Sequence, residues 1–167
     1  MSIFDETDAL SGALADLNRE VEQKGLEKRL QRVVTLTPRI ISACDMAAIT
    51  VMRDRRPSTD VCTDETTREF HAAQYAAGAG PGLDAFRRRQ TYRIASTRTD
   101  PRWPEFARTA REHGIFSTLS LPLFVGARAV GALNLYSRLE RAFSEEDEEL
   151  ASGLAEQAAV AVAKDDL

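Results

Sequence analysis

The chain has 167 residues, 43% of them hydrophobic and 29% charged, and a formal net charge of −4, proportions that fit one globular domain with a buried core. A mildly acidic whole lacks the basic stripe that nucleic acid requires, and Arg87-Arg88-Arg89 is too short to reverse this. No apolar run approaches the roughly 18–20 residues that span a bilayer, and the opening MSIFDETDAL has acids where a signal peptide needs bases, so a cytoplasmic protein with no membrane partner is expected.

Residues 5–24 place Leu10, Leu14, Leu17 and Val21 on one seam of a helix that otherwise carries Asp16, Arg19, Glu20 and Glu22. Gly25 is expected to interrupt it. A second helix follows with Leu26, Leu30, Val33, Val34, Ile40 and Ile41 near helical spacing and Pro38 as a kink or late break. The chain therefore divides into residues 1–25, a helix for dimerisation, and a domain over 26–167. From Cys44 to Arg53 the period changes to that of a strand apolar on both faces, hence central in its sheet. A turn at Arg55-Arg56-Pro57-Ser58 leads to a weaker strand over Thr59–Thr63, then a helix over Glu65–Ala77 that ends at the glycines of residues 78–82. Leu83–Arg88 reads as a short helix and Thr91–Ala95 as a third strand. Asp100-Pro101 predicts the start of a helix running to about His113, with Gly114 as its left-handed cap. Phe116–Phe124 and Ala129–Ser137 alternate as a hairpin around Gly126. Ser144 with Asp147 then forms a capping box opening a final Ala-rich helix, Glu145 to about Lys164, whose first-turn acids suit its positive end.

This order resembles that of a GAF domain. Gln74 with GAGPGLDAF at 78–86, DPRWPEFA at 100–107, STLSLPL at 117–123, GALNLYS at 131–137 and AFSEED at 142–147 are similar to the sensor half of actinobacterial GAF-ANTAR regulators, from about Leu26 to Lys164. The resemblance implies an α+β fold: a central antiparallel sheet of five or six strands, terminal helices packed on one face, and short helices over a ligand cavity on the other. It also implies a non-enzymatic sensor for signalling or transcription regulation that forms homodimers through the terminal helices. Gly82 departs from the GPCL common in relatives, so no thiol role transfers there. The sequence ends at Leu167, where the RNA-binding ANTAR helices would begin. The expectation is therefore an input domain that binds no nucleic acid itself, with its output in a longer chain or in a protein partner acting in trans.

GAGPG lacks the third glycine of a dinucleotide loop, because position 83 is Leu83, and lacks the Lys-Ser/Thr of a P-loop, so it reads as a turn. His71 lies on a polar helix and His113 at a helix C-terminus, neither with a second ligand at helical spacing, so no metal or haem is expected. Cys44 and Cys62 lack the CxxC spacing of a zinc site and read as small apolar strand residues. They leave one enzymatic alternative, a thiol enzyme of the free methionine sulfoxide reductase type. The sequence has neither the Asn-Lys signature of cyclic-nucleotide GAF domains nor a Cys-His dipeptide for a bilin, so no cofactor is expected. Candidates for a small-molecule pocket are Gln74, Tyr75, Phe86, Trp103, Phe106, Ser120, Asn134 and Tyr136. Trp103 and Phe106 double as core residues, whereas alternation turns Asn134 and Tyr136 away from Leu133 and Leu135. Candidates for a dimer interface are Leu10, Leu14, Leu17 and Val21 with Leu150, Leu154, Ala158 and Ala161. A ligand-free dimerisation scaffold is the remaining alternative.

Overall fold

A computed structural model describes residues 3–166 and all their side chains except those at 3–8, 19, 20, 22 and 23. The elements in chain order are α1 (Ile3–Ile40), β1 (Met46–Arg53), β2 (Arg56–Cys62), α2 (Thr67–Ala77), α3 (Pro81–Arg88), β3 (Tyr92–Ile94), α4 (Pro104–Glu112), β4 (Ser117–Val125), β5 (Arg128–Ser137) and α5 (Glu145–Asp165). The strands form one antiparallel sheet in the order β2-β1-β5-β4-β3. This is the expected α+β arrangement, with five strands.

Gly25 does not interrupt the first helix, which runs unbroken for 38 residues. A mid-helix glycine costs about 1 kcal/mol relative to alanine. Burying a single leucine returns about 1.5–3 kcal/mol, and Leu26, Leu30 and Val34 directly after Gly25 are fully buried. The boundary drawn at residue 25 therefore falls inside α1. Pro38 does fall in the last turn, and the helix ends two residues later. β1 begins at Met46, so Cys44 lies in the preceding loop, where its Sγ donates to the Met46 carbonyl (3.2 Å). β2 is longer than expected and begins at Arg56, just after a tight turn at Asp54-Arg55.

The fourth helix starts at Pro104 rather than at Asp100-Pro101. A residue before proline is driven out of the helical region, and Trp103, which precedes Pro104, is extended at φ −136°. Asp100 instead accepts from the Arg102 backbone and guanidinium in the loop ahead of α4. Gly78 and Gly114 do take the left-handed conformation at the ends of their helices (φ 71° and 74°). The capping box of Ser144 and Asp147 is present with both bonds made.

Two cores flank the sheet. On one side α1 and α5 pack on each other and on Ile49 and Val51 of β1, Leu119, Leu121 and Leu123 of β4, and Leu133 and Leu135 of β5. Leu154, Ala158 and Ala161 of α5 are buried in this core within one chain, which corrects their assignment to a dimer surface. The small side chains of Ala158 and Ala161 leave room for α5 to pack against α1. Leu10, Leu14, Leu17, Val21 and Leu150 are exposed. On the opposite side, α2, α3 and α4 cover the sheet face carrying Met46 and Ala48 of β1 and Tyr136 of β5.

β1 and β5 approach so closely at Gly131 that a Cβ there would lie 2.1 Å from the Thr50 carbonyl oxygen. Overpacking a tight core costs about 1–3 kcal/mol, so Gly131→Ala is expected to lower stability by at least that much in urea titration. Gly12→Ala, on an exposed helix face with no neighbour within 4 Å, is expected to raise it by up to ~1 kcal/mol in the same assay.

Candidate functional site

The face covered by the short helices is filled at one end and open at the other. Phe70 of α2 packs on Tyr136 (ring centroids 4.8 Å) and edge-on to Phe106 (6.3 Å), with Ile94, Ile115 and Ala110 around them. Trp103 closes this end. Its Nε1 donates to Asp84 (2.8 Å), tying the start of α4 to α3, and its ring meets Tyr92 edge-on. Trp103 and Phe106, from the start of α4, and Tyr136 of β5 thus lie on the side of the sheet covered by the short helices, but in a packed aromatic core. Ser120, opposite Asn134 on β4, is buried on the same face and does not line the opening.

At the other end lies a pocket walled by Thr50 and Met52 of β1, His71, Gln74 and Tyr75 of α2, Gly82, Leu83 and Phe86 of α3, and Ala132 and Asn134 of β5. Of the sequence candidates, the structure gathers Gln74, Tyr75, Phe86 and Asn134 here. The space open to the centre of a water molecule is about 20 Å³, room for one water with α3 in this position.

Gln74 holds the lid. The first amides of α3 receive no cap from Gly80, which has no side chain, and Gln74 Oε1 instead accepts from the amides of Gly82 (3.0 Å) and Leu83 (3.1 Å). Space requires both glycines. A Cβ at Gly80 would lie 2.1 Å from the Gln74 side chain, and one at Gly82 would lie 2.6 Å from Asn134 Oδ1. GAGPG is therefore a close-packing turn over the pocket, consistent with the absence of a phosphate-loop pattern.

Asn134 is 2% exposed, and its Oδ1 has no hydrogen-bond partner. His71 Nδ1 lies 3.1 Å from Thr50 Oγ1 and 3.7 Å from Asp60, while its Nε2 is buried without a partner. Leaving a buried polar atom unbonded costs about 1–3 kcal/mol, so two such atoms in one small pocket mark a place for water or a ligand. Burial holds the His71 imidazole below its ordinary pKa; nearby Asp60 opposes the shift and Arg68 adds to it. The imidazole is neutral at physiological pH. It then offers Nε2 as donor or acceptor according to tautomer, beside an amide oxygen that accepts only.

From the sequence, His71 enters only as a possible metal or haem ligand, and Thr50 and Met52 do not enter as pocket residues. The signal was present: His71, Gln74 and Tyr75 fall at i, i+3 and i+4 on one face of α2, and Thr50 and Met52 share the β1 face of Ala48. His113 is elsewhere, paired with Glu69 and bonded to the Thr109 carbonyl. Neither cysteine lines the pocket. Cys44 is buried on the α1–α5 side, and burial pushes its thiol up to about 12, far from a reactive thiolate. Among the described residues no group of three His, Cys, Asp or Glu side chains could hold a metal ion, and no helix is long and apolar enough to cross a membrane.

Comparison with known proteins adds a family. A family model for the GAF domain matches residues 23–163. No curated protein matches the chain significantly. Among solved structures, a type II free methionine-R-sulfoxide reductase from Thermoplasma acidophilum superposes with a TM-score of 0.68 at 15% identity, over 86% of this chain and 96% of that one. A GAF domain/HD domain protein from Geobacter sulfurreducens superposes at 0.65 and 14% identity, over 86% and 95%. The GAF3 domain of a Synechocystis protein, in its photoproduct state, superposes at 0.63 and 17% identity, over 82% and 92%. At these identities the three share the fold.

The depressed His71 pKa makes stability depend on pH. Above the ordinary imidazole value of 6.5 both folded and unfolded chains hold a neutral ring; below it the unfolded chain takes a proton that the folded chain resists. The melting temperature is therefore expected to fall as pH drops from about 7 to about 5.5. His71→Gln is expected to flatten that fall.

Proposed function

Because the chain belongs to the GAF domain family, a sensor and regulatory fold, we propose that it is a non-enzymatic sensor module that binds a small molecule in the pocket between β1, β5, α2 and α3. The observation that carries this reading is the pair of buried, unpartnered atoms, Asn134 Oδ1 and His71 Nε2, in the wall of one pocket beneath a short helix. A ligand with a donor for the first and a complementary group for the second recovers hydrogen bonding that the folded chain forgoes.

Relay follows from strand alternation. Thr50 lines the pocket between Ile49 and Val51, which pack under α1 and α5, and Asn134 lines it between Leu133 and Leu135, which do the same. A ligand that binds one arrangement of the sheet face better than another shifts the packing of the terminal helices by that difference in affinity. Output through those helices calls for a second copy. Leu10, Leu14, Leu17 and Val21 repeat at coiled-coil spacing on the outer part of α1 and are 52–63% exposed, an apolar seam that a homodimer would bury. The narrower placement, with the sensor half of actinobacterial GAF-ANTAR regulators, rests on the five sequence segments from Gln74 to Asp147. A thiol-reductase reading finds no support in the site, since Cys44 is inert by burial and neither cysteine reaches the pocket.

Native mass spectrometry of protein purified from its own host is expected to report a dimer with a retained small molecule. Asn134→Leu is expected to abolish the retained mass while leaving the dimer; an unliganded wild-type spectrum would count for the scaffold alternative. In sedimentation equilibrium, Leu14→Glu with Leu17→Glu is expected to weaken the dimer by at least about ten-thousandfold, because the two copies together bury four charges at a cost of more than about 1.4 kcal/mol each.

A further inference from the structure

Tyr75 and Phe86 line not only the pocket but also a wider groove beside it, in which about 610 Å³ is open to the centres of water molecules. Four guanidinium groups wall this groove: Arg55 from the β1–β2 turn, Arg87 and Arg89 from the end of α3, and Arg128 from the β4–β5 hairpin. Among the described residues no carboxylate lines it, although acids outnumber bases by 26 to 22 over the chain. The three contributing segments are distant in sequence, so the fold assembles the cluster.

Most of the donor capacity of these arginines is unused. Arg87 donates to the Gly78 carbonyl (2.8 Å), Arg89 reaches the Ala127 carbonyl only at 3.5 Å, and Arg128 approaches Asp166 at 3.5 Å. Arg55 makes no hydrogen bond or ion pair among the described residues. Each guanidinium carries five N–H donors in a fork suited to planar or tetrahedral oxyanions.

Backbone conformation strengthens the case. Arg55 and Arg89 both sit in the left-handed region, at φ 65° and 57°. Arg55 occupies the second position of a two-residue hairpin turn where glycine is the favoured residue, and Arg89 the helix end where glycine is again favoured. A long cationic side chain in such a conformation costs backbone energy that glycine would not.

We propose that the groove holds the anionic head, a phosphate or carboxylate, of a small molecule whose apolar or aromatic body packs on Tyr75 and Phe86 and reaches the pocket. This rests on the reading of the pocket as a ligand site and adds a chemical class: an amphipathic small-molecule anion. Arginines converging from three segments fix the head, and the unpartnered atoms of Asn134 and His71 receive the far end.

The test is an NMR titration of the full chain with phenyl phosphate, benzoate and phenol, following backbone amides and the Asn134 side-chain amide. An anionic probe is expected to shift the amides of Arg55, Arg89 and Ala127 together with the Asn134 side chain, at least about tenfold more tightly than phenol. The response should weaken with added salt. Whichever of phenyl phosphate and benzoate binds more tightly identifies the head. Arg55→Gly with Arg89→Gly is expected to weaken anion binding about tenfold or more without lowering the melting temperature, because glycine suits both conformations. Shifts at the groove alone support the arginine site and count against the pocket. Shifts at Asn134 alone overturn the arginine site and leave the pocket reading standing. Unchanged affinity in the double glycine variant, or retention only of a polyanion such as heparin, also overturns it. No shift anywhere overturns both.

Discussion

The pairing of β1 with β5 is the constraint on which the rest of the molecule depends. Both strands are buried on both faces, and they run so close at Gly131 that no side chain fits between them. Their register sets Ile49 against Leu133 and Ala48 against Asn134. One set faces the terminal helices and the other faces the short ones. A slip of β1 by one residue would turn Thr50 into the helix core and expose Ile49 to the pocket. The two apolar clusters, the position of the pocket and its connection to α1 and α5 all follow from this register.

The same alternation explains what was legible in the sequence. The double-sided apolar run of β1, the hairpin of β4 and β5 and the capping box at Ser144 are local signals, and each element is present within one or two residues of its expected bounds. Asn134 shares the pocket face because period 2 leaves no alternative once Leu133 and Leu135 face the helices. Three features depended on longer-range balance. Whether Gly25 breaks a helix depends on how much apolar surface follows it, and Leu26, Leu30 and Val34 outweigh it. Whether Tyr136 and Phe106 line a pocket or fill a core depends on Phe70, which packs against both. Whether Ala158 and Ala161 face a partner depends on α1 already lying there.

The site illustrates how a short helix can be a lid without a cap of its own. The start of α3 is held by one glutamine from the preceding helix, and two glycines exist so that this glutamine and Asn134 can come close. The pocket shares Phe86 and Tyr75 with the arginine groove, so a displacement of α3 would join the two spaces.

The most direct test of the account is a high-resolution crystal structure of the protein purified from its own host, read at two atoms. The account predicts electron density in the pocket, bonded to Asn134 Oδ1 and to His71 Nε2, with Gln74 still holding the first amides of α3. A pocket filled by Leu83 and Phe86, with both atoms bonded to protein groups and nothing else present, would contradict it.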